Sequence, residues 1–126
     1  MKVIYISGPF TAPTAWRREQ NVRTAEAMAL EVWRLGAVAV CPHTNARNFE
    51  GELPYEMWID GDLEIIRRCD AVLLVGDWLT SKGSLAEVKL AQELRLPIFS
   101  GEKSLHELRV WLGQVILNDC GEESCS

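Results

Sequence analysis

The stretch DAVLLVGDWLTSKGSLAEVKLA, residues 70–91, predicts a strand, a loop and a helix in succession. Residues 70–75 form a short apolar run, which is typical of a strand that is buried on both faces. Residues 76–83 form a polar loop that contains glycine, and the helix after it extends to about Arg95. Because strand, loop and helix form the repeating unit of α/β proteins, this stretch favours that class of fold.

The same alternation continues over the rest of the chain. The other predicted strands are apolar runs at residues 2–7, 37–41 and 97–99, and the other predicted helices cover residues 15–35, 54–68 and 104–117. This pattern predicts a single α/β domain, a Rossmann-like or flavodoxin-like doubly wound parallel sheet of about four to five strands with helices on both faces. Ligands of such folds bind beyond the carboxyl ends of the strands, which directs attention to loops 8–14, 42–53 and 76–83.

Length and composition are those of one globular domain. The 126 residues are 48% hydrophobic and 25% charged, and we expect one domain over residues 1–117 with a polar C-terminal tail over residues 118–126. The formal charge of −5 and the pI of about 5.0 give no indication of a nucleic-acid or membrane partner. Neither a signal peptide nor a membrane-spanning stretch is visible, so we expect a cytoplasmic protein.

The four cysteines do not indicate a metal site. They show no C-x-x-C spacing, and no paired histidines accompany them, so we expect no metal and reduced thiols. A disulfide between Cys120 and Cys125 in the tail is the alternative.

Two carboxylates are predicted on the apolar faces of helices. At ~100° per residue, Ala91 and Leu94 fall within ~40° of Glu87, which therefore lies in the middle of an apolar stripe. Asp62 is likewise surrounded by the apolar positions of helix 54–68. The helix dipole can stabilise a charge on Glu87, near a helix N-terminus, but not on Asp62 in mid-helix. Since a buried acid without a partner costs several kcal/mol, we interpret the two acids as the edges of one polar pocket.

Paired carboxylates at such a sheet edge suit glycosyl chemistry, in which one attacks an anomeric carbon and the other handles a proton. The motifs of dinucleotide-binding, P-loop and serine-hydrolase sites are absent, since the sequence contains no G-x-G-x-x-G, G-x-x-x-x-G-K-[ST] or G-x-S-x-G. His43, at a strand end, either lines the pocket or caps a loop.

Three motifs stand in the order and at the spacing of a known superfamily. They are YISGPF at residues 5–10, DLEIIRRCDAVLLV at residues 62–75 and SKGSLAEVKLA at residues 81–91. Together with NVRTAEAMALEVWRLGAVAVCPH at residues 21–43, they cover about residues 3–100. In these motifs the chain resembles the nucleoside 2-deoxyribosyltransferase superfamily, which includes 2′-deoxynucleoside 5′-phosphate N-hydrolases and a related domain family of unassigned function.

The resemblance implies a role for each matching residue. Glu87 would be the nucleophile that forms a glycosyl ester, Tyr5 would hold its carboxylate, and Asp62 would contact the base or its proton. The residues expected to bind substrate are Ser7, Gly8, Phe10, His43, Ser81 and Gly83. The family pattern implies no cofactor. One departure is Glu87-Val88-Lys89, where the family usually has Glu-Leu-Gly.

Ser81 indicates which branch of the superfamily this chain resembles. Six residues before the nucleophile, the transferases tend to carry an acid, whereas the phosphate-accepting hydrolases carry serine, as this chain does. A neutral hydroxyl at a helix N-terminus suits a phosphate, although Ser81 is equally explained as an N-cap. We therefore expect hydrolysis of a (deoxy)nucleoside 5′-monophosphate through a covalent glycosyl-Glu87 intermediate. The alternatives are base exchange by a transferase and a non-catalytic nucleotide-binding module. A cytokinin-activating phosphoribohydrolase ranks below these, because Gly-Gly-x-Gly-Thr-x-x-Glu is absent.

The expected partner is a small nucleoside or nucleotide, with no nucleic-acid polymer and no membrane. Related proteins usually associate, so we also expect a homo-oligomer. Trp16 and Trp33 fall on one side of the first helix, where they mark either an interface or the core.

Overall fold

Four parallel strands form the central sheet of the computed structural model, which describes residues 1–45, 49 and 51–114. The strands are β1 (Val3–Ser7), β2 (Val38–Val40), β3 (Ala71–Leu74) and β4 (Ile98–Phe99), in the spatial order β2-β1-β3-β4. The chain leaves β1 towards one edge of the sheet and returns to its other side as β3. The order therefore switches direction at β1, where a doubly wound sheet binds its ligands.

Helices connect the strands. They are α1 (Ala15–Arg34), α2 (Pro42–Asn45), α3 (Tyr55–Ile66), α4 (Lys82–Glu93) and α5 (Ser104–Trp111), and a 3-10 turn at Trp78–Thr80 precedes α4. The predicted fold class is confirmed, with four strands in the described part of the chain.

Two element predictions were wrong. Residues 42–53 were predicted as loop throughout, yet α2 begins directly after β2. The last helix was predicted to reach Leu117 but ends at Trp111, because Gly113 takes a backbone φ of +79°, which ends a helix. The predicted tail, residues 118–126 with Cys120 and Cys125, lies outside the described residues.

The sheet has an apolar layer on each face. Ile4, Ile6 and Leu73 pack with Val32 of α1 and Leu108 of α5. The opposite layer contains Tyr5, Val72 and Leu74 with Ile66 of α3 and Ala91 of α4. Side chains alternate between faces along a strand, so the same pleat that sends Ile4 and Ile6 towards α1 sends Tyr5 and Ser7 towards α4.

Two tryptophans of α1 lie at the surface, whereas two cysteines are buried. Trp16 and Trp33 are 71% and 52% exposed, which rules out the core as their location. Cys41 and Cys69 are buried free thiols. Within the residues that the structure describes, no helix combines the length and the apolar character needed to cross a membrane.

Gly8 permits a close approach between the ends of β1 and β3. A Cβ atom at this position would lie 2.7 Å from both Cγ2 and the carbonyl oxygen of Val75. No side chain fits in that space without moving the backbone of the neighbouring strand, so glycine is needed here for packing.

We expect Gly8→Ala to lower the free energy of unfolding by about 1–3 kcal/mol, the usual cost of overpacking. Gly61→Ala is the matched control, because Gly61 lies within α3 with no heavy atom within 4 Å of the added Cβ. That substitution should stabilise the protein by about 0.5–1 kcal/mol through helix propensity. Urea unfolding of both variants measures the two effects, and an unchanged midpoint for Gly8→Ala would contradict the packing argument.

Candidate active site

The carboxylate of Glu87 is held by two hydroxyl groups. The Tyr5 hydroxyl donates a hydrogen bond to Glu87 Oε2 at 2.7 Å, and the Ser7 hydroxyl donates one to Oε1 at 2.6 Å. Glu87 is only 5% exposed, and both donors are fully buried. Each carboxylate oxygen thus has its own donor, which fixes the plane of the group.

Local sequence explains how these three side chains meet. Tyr5 and Ser7 are alternate residues of β1 and so point to one face of the sheet. On that face α4 begins at Lys82, because the Ser81 side chain accepts a hydrogen bond from the backbone N–H of Ser84 at 3.2 Å and caps the helix. Glu87 then falls on the inner side of the second turn, as its place in the apolar stripe predicts.

Burial and hydrogen bonding act in opposite directions on Glu87. Burial raises the pKa of its carboxyl group, whereas the hydrogen bonds from Ser7 and Tyr5 lower it. The pKa of Tyr5 is raised, first by burial and then by the negative charge of Glu87. Tyr5 therefore stays a neutral phenol and a hydrogen-bond donor under all ordinary conditions.

Asp62 is the second acid of the site. It lies on α3 and is partly buried, and its pKa is raised to about 7, first by burial and then by the negative charge of Glu87. Near neutral pH a substantial fraction of Asp62 therefore carries a proton while Glu87 accepts two hydrogen bonds. A carboxyl group that holds a proton near neutral pH is able to act as a general acid.

The two acids line one cavity of about 700 Å³ at the carboxyl ends of β1 and β2. The cavity brings together most of the predicted site residues: Gly8, Phe10, His43, Asp62, Ser81, Gly83 and Glu87. Tyr5 and Ser7 are not among its lining residues and hold Glu87 from the side of the sheet. Ser7, predicted to bind substrate, contacts the Glu87 carboxylate in this structure.

Sequence reasoning missed much of the cavity wall. Tyr55, Trp58, Ile59 and Ile65 of α3 line the cavity with Asp62. Their shared helical face was visible in the sequence, but an apolar stripe alone does not distinguish a pocket wall from a core. Phe49 also contributes, and its ring stacks on Trp58 with centroids 6.1 Å apart.

His43 both lines the cavity and holds a loop, the two roles that its position in the sequence allows. One ring nitrogen, Nε2, lies 2.9 Å from the carbonyl oxygen of Pro9 and so ties α2 to the loop after β1. The ring of Phe10 meets the His43 ring edge-on, with centroids 5.6 Å apart. His43 is 6% exposed and lines the cavity.

Gly83 is close-packed as well as close to the cavity. A Cβ atom there would lie 3.3 Å from Ile59 Cδ1 and 3.5 Å from the Tyr55 hydroxyl. Glycine at this position therefore lets the first turn of α4 approach α3 without crowding Ile59. Within the described ranges, no three His, Cys, Asp or Glu side chains are grouped so that they could hold a metal ion.

The fold is that of the nucleoside 2-deoxyribosyltransferases. A solved 2-deoxyribosyltransferase from the psychrotolerant bacterium Bacillus psychrosaccharolyticus superposes with a TM-score of 0.58 at 22% identity, covering 78% of this chain and 70% of that one. Residues 2–100 match the family described as Domain of unknown function (DUF4406), and the chain belongs to that family. The predicted resemblance to the superfamily is thereby confirmed for the fold, and the matching family is one of unassigned function, as predicted. No curated protein matches the sequence significantly.

Asp62 should make stability depend on pH. Its pKa is about 7 in the folded protein and its ordinary value is 3.8, so the folded state binds the proton more tightly than the unfolded chain. The free energy of unfolding therefore falls as pH rises through this window. Asp62→Asn should stabilise the protein at pH 8 by about 1–2 kcal/mol, less than the full shift implies because the carboxyl is partly solvated, and have little effect at pH 4.

Urea unfolding of wild type and Asp62→Asn at both pH values makes this measurement. Asp60→Asn is the control, since Asp60 is exposed on the same helix and does not line the cavity. A gain for Asp62→Asn that does not depend on pH would show that the carboxyl does not hold its proton in the folded state.

Proposed function

We propose that this protein hydrolyses the N-glycosidic bond of a (deoxy)nucleoside 5′-monophosphate through a covalent glycosyl intermediate on Glu87. The observation that carries the proposal is the Glu87 carboxylate, which is oriented by Tyr5 and Ser7 at the wall of a cavity that also contains the protonatable Asp62. The cavity volume of about 700 Å³ is within the range of small-ligand sites.

In the first step, an oxygen of Glu87 attacks the anomeric carbon of the sugar. A carbon–oxygen bond forms as the carbon–nitrogen bond breaks, and the electron pair of the broken bond leaves with the base. Asp62 gives its proton to the departing base, which leaves neutral, and becomes a carboxylate. The raised pKa of Asp62 supports this role, because it keeps a proton available near neutral pH.

In the second step, water cleaves the glycosyl ester. The oxygen of the water attacks the anomeric carbon while the Asp62 carboxylate takes a proton from that water. The Glu87 carboxylate leaves. The products are the sugar 5′-phosphate and the restored enzyme, with Asp62 protonated again. Two displacements at the same carbon give retention of configuration.

Tyr5 and Ser7 act on the nucleophile rather than on the substrate. Because each donates to one carboxylate oxygen, the group cannot rotate away from the line of attack. Such orientation reduces the entropic part of the barrier. Both donors remain when Glu87 leaves from the ester, so they also stabilise the carboxylate that forms again.

The N-terminus of α4 supports a 5′-phosphate as part of the substrate. Ser81 accepts a hydrogen bond from Ser84 N–H through its oxygen, and its own hydroxyl proton can be donated to a phosphate oxygen. The helix dipole adds positive potential here, and Lys82 adds a positive charge. Ser81 and Gly83 both line the cavity next to Glu87.

Glu87→Gln tests the nucleophile. Incubated with 2′-deoxynucleosides, ribonucleosides and their 5′-monophosphates, the wild-type protein should release base from the monophosphates. Glu87→Gln should lower kcat by about 10³-fold or more, because the substitution removes the nucleophile. The variant should still bind substrate, because glutamine has nearly the same shape as glutamate. Chromatography of the free base measures release.

Each other outcome of the panel has a different meaning. Base release by wild type only after a second base is added would replace hydrolysis with transfer. Equal release by wild type and Glu87→Gln would exclude Glu87 as nucleophile. If no substrate releases base but nucleotides bind, the protein is the binding module instead.

Ser81→Asp tests the phosphate site. Aspartate is also a good N-cap, so α4 should keep its start, but the added negative charge would face the phosphate. We expect KM for the 5′-monophosphate to rise by about 10-fold or more relative to KM for the matching nucleoside. Ser81→Thr keeps the hydroxyl and should leave that ratio close to the wild-type value. An equal change in KM for both substrates would place the phosphate elsewhere.

A further inference from the structure

The cavity that contains Glu87 has no arginine or lysine among the described residues that line it. A phosphate group bound there is therefore contacted by neutral donors, such as backbone N–H groups and side-chain hydroxyls. A hydrogen bond to a charged acceptor is about twice as strong as one between neutral groups. The hydroxyl groups of the lining are thus the side chains to consider for holding a phosphate.

Four of the described lining residues carry a side-chain hydroxyl: Thr11, Tyr55, Ser81 and Ser84. The Ser84 hydroxyl oxygen is fully buried, out of reach of a bound ligand. Thr11 lies on the loop after β1, and Ser81 is the N-cap of α4. Tyr55 is the first residue of α3, so its side chain reaches the cavity from a separate helix.

The Tyr55 hydroxyl lies at the first turn of α4. A Cβ atom on Gly83 would be 3.5 Å from the Tyr55 hydroxyl oxygen and 3.8 Å from Ser81 Oγ. Both oxygens therefore stand within 4 Å of one point at the start of the helix. A phosphate group has three acceptor oxygens around one phosphorus atom, so two hydroxyls this close together can donate to the same phosphate.

The Tyr55 hydroxyl is also an accessible neutral donor. Tyr55 is 53% exposed, unlike the fully buried Tyr5. Burial, and then the negative charges of Glu87 and Asp62, raise the pKa of Tyr55. The phenol therefore keeps its proton at pH values where a phosphate monoester is a dianion, and it meets that dianion as a hydrogen-bond donor.

The order of residues along α3 places Tyr55 at the phosphate end of the cavity. Tyr55 precedes Asp62 by two helical turns, which is ~10 Å along the helix axis. In the proposed function, Asp62 serves the bond between sugar and base, and the 5′-phosphate lies on the other side of the sugar. Tyr55 is thus displaced from Asp62 towards the start of α4, where Ser81 and Gly83 lie.

We propose that Tyr55 is a specificity-determining residue whose hydroxyl, together with that of Ser81, donates a hydrogen bond to the 5′-phosphate of the substrate. The assignment rests on the proposed function, which puts a phosphate at the start of α4. It makes the preference for a monophosphate over a nucleoside depend on two neutral hydroxyls from two different helices.

The test measures binding in the Glu87→Gln protein, so that no substrate is consumed. The probes are the four common 2′-deoxynucleosides and their 5′-monophosphates, and calorimetry gives the Kd of each. For the base that binds best, the ratio of the nucleoside Kd to the monophosphate Kd measures what the phosphate contributes. Adding Tyr55→Phe should lower this ratio by about 10-fold, roughly the value of one hydrogen bond to a charged group. The Kd of the nucleoside itself should change by less than about 2-fold, because Tyr55→Phe keeps the ring.

Two further variants separate the hydroxyl from the ring and from the cavity wall. Tyr55→Leu removes the ring as well, and it should lower the ratio by the same factor as Tyr55→Phe. Met57→Leu is the matched control, because Met57 is an exposed lining residue of α3 that has no hydrogen-bond donor in its side chain. That substitution should leave the ratio at its original value.

The outcomes separate this inference from the proposed function. An unchanged ratio in Tyr55→Phe, or a ratio that falls only in Tyr55→Leu, would overturn the role of the Tyr55 hydroxyl and leave the hydrolase proposal standing. So would an equal loss of affinity for nucleoside and monophosphate, because the hydroxyl would then act on the sugar or the base. Failure of every nucleotide to bind would overturn both.

Discussion

The arrangement of this protein depends on one buried carboxylate and the two hydroxyl groups that hold it. Removing Glu87 from water between a helix and a sheet costs several kcal/mol unless its oxygens accept hydrogen bonds. Tyr5 and Ser7 provide those bonds from a strand that is otherwise apolar. The two contacts join residues that are 82 and 80 positions apart in the chain. They therefore fix the position of α4 against β1. The two hydrogen bonds lower the pKa of Glu87, but burial outweighs them and the pKa stays raised.

The second acid owes its raised pKa first to burial and then to the charge of the first acid. Asp62 would be an ordinary carboxylate on an exposed helix face; beside Glu87 and partly buried, its pKa is about 7. Burial is the first cause of the raised pKa of both acids, and for Asp62 the negative charge of Glu87 is the second cause. Helix α3 brings Asp62 to the cavity on the same face as Trp58 and Ile59, so one face of α3 supplies both the apolar wall and the acid.

Close packing around the site depends on two positions that have no side chain. Gly8 lets β1 and β3 approach at their carboxyl ends, and Gly83 lets α4 approach α3. His43 connects α2 to the loop after β1 through Pro9. These contacts form the rim of the cavity from three separate loops, which is the usual construction of a site at the switch point of a doubly wound sheet.

Strand and helix periodicity in the sequence was enough to predict the α/β class, the positions of the strands and the unusual location of Glu87 and Asp62, because these depend on local alternation and on the helical repeat. The helical wheel could not say what neutralises Glu87; only the register of β1 against α4 brings the hydroxyl of Ser7 to it. Residues 42–45 were predicted as loop because a single turn of helix carries no periodic signal. The wall residues of α3 were indistinguishable from core until the cavity was seen. The contact between His43 and Pro9 joins residues far apart in sequence, and only the tertiary structure determines it.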